Sequence, residues 1–534
     1  MIKNYSFKIL ALIGLIVILV SCQKKVLELE SYNSFSDQSA YTTPERVELS
    51  VNGAYDAAQS GFYSGGVVRG YPFGAASIEQ ADARGEDVAN IAAFYQITHE
   101  ATYNPTTANN DFMFQTLYSL INKANLTREG VRRAETGGIV TTAAANAYDA
   151  ECRFLRALAH HELVLNFARP YADGNGGKEG VIYRETGVDT EAKIEEAKAL
   201  KRSDFTVATT YQKILDDLDY AEANLPDTRA GNLKNYRATK AAAIALKMRV
   251  KLHKGDWAGV ISEGAKIVSG TTAFTSPIGA WALPASADGA FTNNLSTESI
   301  FSIKNDATDN AGVNGAIANM MGNPANGARG LLRISPIIWS DPQWLCSDTR
   351  RTLLYSTAST GGQVTAVFTT KYRDYSNNSD AAPIIRYAEV LLNLAEAEAR
   401  NDGGVSTKGL ALLNAVRNRG VGAANAFTSF GSKNDLVNAI LKERRIEFLA
   451  EGRRWGDIHR LALDPNFAPI SGGGIPAKVG TSHTEIAGTY NCAGPTVAIT
   501  KTIQAIPYTD RRFIWPISQA EINQNPNFTQ NPEY

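Results

Sequence analysis

The sequence predicts a mainly α-helical protein in which helix pairs stack into a short solenoid and a loop-rich portion containing short strands packs on one side. Three features of the 534 residues carry that expectation. Apolar residues recur at three-to-four spacing over much of both halves, as in helices buried along one face. Two stretches, Ala208 to Ser269 and Tyr387 to Arg419, read as helix, turn, helix, with small residues where paired helices would touch. Between them, residues 271 to 382 lose that period and gain Gly, Asn, Ser and Pro. They alternate as strands do at Glu298 to Lys304 and from Val364 to Tyr372.

At the start of the chain, Lys3 and Lys8 precede an unbroken apolar run from Ile9 to Val20, followed by Ser21 and Cys22. A helix of that run reaches only ~18 Å, short of the ~30 Å hydrocarbon core, so residues 1–21 read as an export signal and not a membrane span. A cysteine at the cleavage point is expected in a bacterial lipoprotein, with Cys22 carrying the acyl chains that anchor it. Residues 22–534 are expected to form a single domain in three parts: a helical part (22–270), the loop-rich insertion (271–382) and a second helical part (383–534).

Within the first part, a helix is expected from Pro44 to about Ser60, with Val47, Val51, Ala54 and Tyr55 inward. Residues 61 to 110 have loop composition. Helical patterning returns at Asp111 to Arg133 and at Ala143 to Phe167, and the Gly-rich turn Asp173 to Gly180 ends it. The helix opening at Ala208 stops at Pro226, the next stops at Gly255, and Asp256 caps a third. That last pair looks like a tetratricopeptide unit, as does Tyr387 to Arg400 followed by Thr407 to Arg419.

The stretch Asp435 to Leu461 carries the densest pattern. Leu436, Val437, Ile440, Leu441, Phe448 and Leu449 form an apolar stripe, and Arg444 sits on it, one turn from Ile440 and from Phe448. Glu447 and Glu451 follow on the same flank. Buried charge is tolerated only when paired, so an Arg/Glu network between packed helices is expected. Gly452 should break the helix, and Arg453 to Asp457 should open another.

Composition and motifs exclude several classes of function. A net charge of −1 gives no electrostatic case for nucleic acid. His161-Glu162 begins like a zinc-protease motif, but Leu165 stands where the second histidine is needed. Asp173 to Lys178 resembles a phosphate loop, yet Glu179 follows the lysine and a helix precedes the turn. Glu443, Glu447 and Glu451 share one helix with Arg444 and Arg445, whereas glycosidase carboxylates face each other across a cleft. No nucleophile elbow occurs. No enzyme, cofactor or metal is therefore expected. Besides Cys22 there are three cysteines: Cys152 reads as a buried thiol, while a Cys346/Cys492 bridge stays open.

Five segments in order carry a family resemblance: Leu19 to Cys22, CRFLRALAHHELVLNFARPY (Cys152 to Tyr171), TKYRD with PIIRYAEVLLNLAEAEA (Thr370 to Ala399), Asp435 to Leu461, and the ending WPISQAEINQNPNFTQNPEY from Trp515. Together they resemble the SusD/RagB family of outer-membrane nutrient-binding lipoproteins. The resemblance implies a glycan ligand delivered to a SusC-like TonB-dependent β-barrel transporter. It also implies a lipid anchor in the cell outer membrane with exposure at the surface, although Gln23-Lys24-Lys25 replaces the acidic residues that usually follow the lipidated cysteine. A RagB-type peptide binder and a non-catalytic protein-binding scaffold are the alternatives.

Flat aromatic faces suit the C–H faces of pyranose rings, and polar side chains meet the hydroxyls. Loop residues are freer for this than solenoid helices. The candidate glycan-binding residues are therefore Phe73, Asp82, Arg84, Phe94, Tyr95 and Tyr103 in the first loop region, and Trp281, Trp339 and Trp344 in the insertion.

Overall fold

The computed structural model describes residues 39–292, 295–480 and 486–534. The export signal and Cys22 lie outside the described residues. Among the described residues, no helix is long and apolar enough to cross a membrane.

Eleven helices organise the chain: α1 (Pro44–Gln59), α2 (Ala75–Ala83), α3 (Ala108–Thr136), α4 (Thr142–Phe167), α5 (Val207–Asn224), α6 (Lys240–Lys254), α7 (Trp257–Ile267), α8 (Tyr387–Asn401), α9 (Thr407–Val421), α10 (Lys433–Glu447) and α11 (Arg454–Leu461). Their starts obey capping chemistry. The side chains of Thr141, Asp256 and Ser406 accept the amides of Ala144, Gly259 and Gly409 at 3.2, 2.9 and 3.1 Å.

From α3 to α8 each helix packs on the next, with α1 laid against α3 and both α9 and α10 against α8. That is the expected solenoid. Helices α7 and α8 are neighbours in space although residues 268–386 separate them in sequence. Their approach is close: a Cβ at Gly264 would stand 2.7 Å from Leu394. The insertion therefore interrupts the chain and not the helical array.

The loop-rich portion carries short antiparallel pairs. Strand β1 (Val88–Asn90) pairs with β3 (Leu332–Ile334), β2 (Ser299–Ile303) with β6 (Ala382–Arg386), and β4 (Tyr355–Thr360) forms a hairpin with β5 (Gln363–Thr369). Gly361 and Gly362 supply the positive φ angles, 58° and 76°, that turn the hairpin. The β1–β3 and β2–β6 pairs tie the insertion to the first loop region and to the start of α8. Cys346 and Cys492 are joined by a disulfide across 146 residues, and Cys152 is a buried free thiol.

Two sequence expectations are corrected here. Residues 61–110 are not all loop: α2 is buried on every side, so it has no polar face and no amphipathic period to read. Helix α10 ends at Glu447, short of Gly452, because Ala450 and Gly452 both turn into the left-handed region, at φ 66° and 73°. At Gly452 a Cβ would come within 2.8 Å of the Ile78 backbone, so α2 presses directly on this turn.

The expected buried ion network is present with different partners. Arg444 pairs with Asp457 at 3.0 Å and donates to Asn393, and neither Glu447 nor Glu451 is its partner. Glu447 instead meets Arg350, Arg386 and Arg419 at 3.0, 3.1 and 2.9 Å. Glu451, beyond the helix end, meets Lys371 at 2.5 Å and Arg386 at 2.7 Å. Spacing along one helix identifies which side chains are buried, but these cations arrive from β6, α9 and the insertion.

Candidate functional site

The predicted site residues are mostly committed to packing. Trp281 and Trp344 are 0% exposed, and Phe73, Tyr95, Tyr103 and Trp339 are buried as well. Trp339, Trp344 and Tyr355 meet edge to face at 5.3–5.9 Å and extend the core of the helical array into the insertion. Arg351 closes that core, stacked 4.2 Å from Trp344 and donating to the carbonyls of Trp339, Trp344 and Leu345. A loop-rich segment of this length must bury something, and these aromatics are what it buries.

Asp82 and Arg84 are likewise interior. Asp82 Oδ2 accepts the Gly452 amide at 3.1 Å. The Arg84 guanidinium lies 3.3 Å from the Trp455 ring centroid and donates to Asn166 Oδ1 and the Phe513 carbonyl. Tyr103 donates its hydroxyl to the Arg512 carbonyl. None of these groups offers a face to a ligand from solvent, which corrects their assignment as contact residues. Phe94 alone of the nine keeps partial exposure.

Around Phe94 the structure gathers a surface that spacing did not reveal. The segment between α1 and α2 closes on itself: Gly61 donates its amide to the Tyr71 carbonyl at 2.7 Å, and Tyr63 to Val67 at 2.9 Å. Gly65 and Gly66, with positive φ and open space around them, make the tight turn. The loop holds Phe62, 39% exposed, and Tyr63 against Phe112 at the start of α3, at ring separations of 6.1 and 4.7 Å. The Arg69 guanidinium stacks 5.2 Å from the Tyr63 centroid and 4.8 Å from Phe94. From the insertion, Arg329 approaches the same Phe94 ring at 5.4 Å, and its guanidinium donates to Asn314.

A small void of about 10 Å³, room for about one water, lies nearby, lined by Gln59, Gly70, Gly74, Asn305 and Asn378 among others. Gly315 presses on the Arg69 backbone at its edge. Beneath the rings, burial pushes the Glu79 carboxyl well above the ordinary carboxylate range. The sequence signal for Phe62 and Tyr63 was the aromatic pair in SGFYSGG; they stand apart from any periodic run. Arg69 and Arg329 carried no signal at all.

The carboxylates at one-turn spacing lie elsewhere and are paired. Glu443 meets Arg350 at 2.5 Å. Burial opposes ionisation of Glu447, but Arg419, Arg386 and Arg350 hold its carboxyl below the usual range. Both are buried within the ion network.

A helical array with a loop-rich layer and an exposed aromatic surface defines a binding protein of the SusD type, and comparison with known proteins agrees. A family model described as "SusD family" matches residues 348–534, and one described as "Starch-binding associating with outer membrane" matches residues 27–252. A SusD superfamily protein from Bacteroides fragilis has 26% sequence identity and a TM-score of 0.72, covering 92% of this chain and all of that one. A solved "Laminarin binding SusD-like protein" shares the fold at a TM-score of 0.61 and 19% identity, over 92% of this chain and all of its own. SusD-like protein P2 of Formosa agariphila is 25% identical over 371 residues, 60% of this chain and 66% of that protein, so about a third of that relative lies outside the match. The chain belongs to the SusD/RagB family.

Proposed function

We propose that this protein captures glycans at the surface built by Phe62, Tyr63, Phe94 and Phe112. One observation carries the reading: nearly every other aromatic of the loop-rich layer is buried, whereas here Phe62 is exposed and Tyr63, Phe94 and Phe112 are half-buried beside Arg69 and Arg329. Pyranose faces stack on such rings while amides and guanidinium groups take the hydroxyls. The ligand is then handed to a SusC-like TonB-dependent β-barrel, with the chain anchored in the outer membrane through Cys22 and exposed at the cell surface. From Cys22 onward the chain acts as one SusD-like domain, a reading supported by the strand pairs that bind the insertion to the helical array.

The role is binding without cleavage, since the acidic residues nearest in pattern to a glycosidase pair are locked in buried ion pairs. Affinity electrophoresis and calorimetry against a glycan panel provide the test. Phe62→Ala and Phe94→Ala should each weaken binding by roughly five-fold or more, since one stacked ring contributes about 1 kcal/mol or more. Trp344→Ala should lower the melting temperature instead. Binding that survives both surface substitutions would place the site elsewhere, and protein-dependent release of reducing ends would contradict a purely binding role.

A further inference from the structure

The charge on this surface narrows the ligand, on the reading that the surface holds a glycan. We propose that it selects acidic glycans, chains bearing uronate carboxylates or sulfate esters, and that Arg69 and Arg329 are the groups that bind the negative charge.

The two guanidinium carbons lie 4.8 and 5.4 Å from one ring centroid, that of Phe94, and so no more than about 10 Å from each other. Among the described residues, no carboxylate comes within 4 Å of either. Many arginines elsewhere are matched, Arg350, Arg386, Arg419, Arg445 and Arg460 each meeting carboxylates, while the buried Arg84 and Arg351 spend their N–H groups on carbonyls. Two neighbouring cations without a counter-ion repel each other and gain nothing for folding from being together. An anionic ligand would supply the missing charge.

The geometry of each side chain suits that task. A guanidinium stacked on a ring keeps its N–H edges free, and those edges fit the paired oxygens of a carboxylate or sulfate. Asn314 accepts one Arg329 N–H and so orients its plane. Glu79, buried below, makes no ion pair with either arginine, and burial raises its carboxyl pKa although Arg329 opposes the rise. With a net charge of −1 over the whole chain, the positive character is local to this surface. A neutral glycan would need hydrogen-bond donors here, but not two unmatched positive charges.

Calorimetry with polygalacturonate, a sulfated galactan, neutral galactan and laminarin, at low and raised salt, tests this. Arg69→Gln and Arg329→Gln keep hydrogen-bonding capacity and remove charge. At least one acidic glycan should bind about ten-fold or more tightly than the neutral ones, since hydrogen bonds to charged groups are the stronger kind. That affinity should fall with salt and drop about ten-fold in each arginine variant, with melting temperatures unchanged. The polygalacturonate and sulfated galactan arms separate carboxylate from sulfate recognition. Equal binding of neutral glycans, or arginine variants that bind acidic glycans normally, overturns the charge reading. If Phe62→Ala and Phe94→Ala still abolish binding in that case, glycan capture at this surface stands without it. If no glycan in the panel binds, both readings fall.

Discussion

Arg386 is the residue on which most buried charge converges. It reaches Glu298, Glu447 and Glu451, and all four side chains are nearly inaccessible. Removing one member of a buried network leaves its partners charged and unsolvated, which typically costs ~3–5 kcal/mol. Arg386→Met should therefore lower the melting temperature strongly while leaving glycan binding per folded molecule unchanged. A near-native melting curve would show that the network is solvated or redundant. Lys478 is a buried cation that, unlike Arg386, has no carboxylate partner among the described residues: its ammonium donates to the carbonyls of Ala83 and His99 at 2.7 and 2.8 Å. Burial, reinforced by nearby Arg84, lowers its pKa to about 7. The folded state then sheds this proton near neutrality, whereas the unfolded chain holds it until its ordinary pKa of 10.5. Between those limits the unfolded state binds more protons, so this group's contribution to stability rises with pH. The stability difference between the native protein and Lys478→Met should accordingly move in the native protein's favour from pH 7 to pH 10, as measured by urea unfolding. A pH-independent difference would show that Lys478 stays protonated.

At the scale of elements, the insertion is held to the rest of the molecule at several points. The Cys346–Cys492 disulfide is one, and beside it Ser340 Oγ donates to the Thr489 carbonyl at 2.6 Å while the Tyr490 hydroxyl donates to the Ile334 carbonyl at 3.0 Å. A cross-link over a long loop restricts the unfolded chain most, and losing a native one typically costs about 2–5 kcal/mol. Cys346→Ser with Cys492→Ser should lower the melting temperature by several degrees, and a reductant should do the same to the native protein but not to the variant. Equal melting of both under oxidising conditions would mean that the surrounding hydrogen bonds suffice. The elements most legible from sequence were those with one wet face. Helices α1, α3, α4, α5 and α8 begin and end within a few residues of where apolar spacing, capping residues and prolines place them. Helix α2 was invisible because both faces are dry, and the exposed helix Glu191–Ala199 because neither is.

For the whole molecule, the helical array positions the loop-rich layer and leaves one aromatic face open. Where the protein works depends on residues outside the described ones. Cys22→Ala should move it from the membrane fraction to the soluble fraction of fractionated cells, because the apolar run before Cys22 is too short to span. An unchanged distribution would point to another anchor.

The sequence alone determined the helical class, the repeat-like pairs, the place of the insertion and the burial of charge near Arg444. Those properties follow from local period and from the rule that interior charge must be paired. Tertiary structure decided which charges pair, since Arg350, Arg386 and Arg419 come to Glu447 from distant segments. It also decided which aromatics are free. Trp281, Trp339 and Trp344 have the same composition-level signature as a stacking platform, but they are buried in the core that the loop layer shares with the helices. Arg69 and Arg329, from two segments over 250 residues apart, meet at Phe94, where the β1–β3 pair brings the insertion beside the first loop region. Exposure and counter-ion matching are properties of neighbours in space, and chain order does not record them.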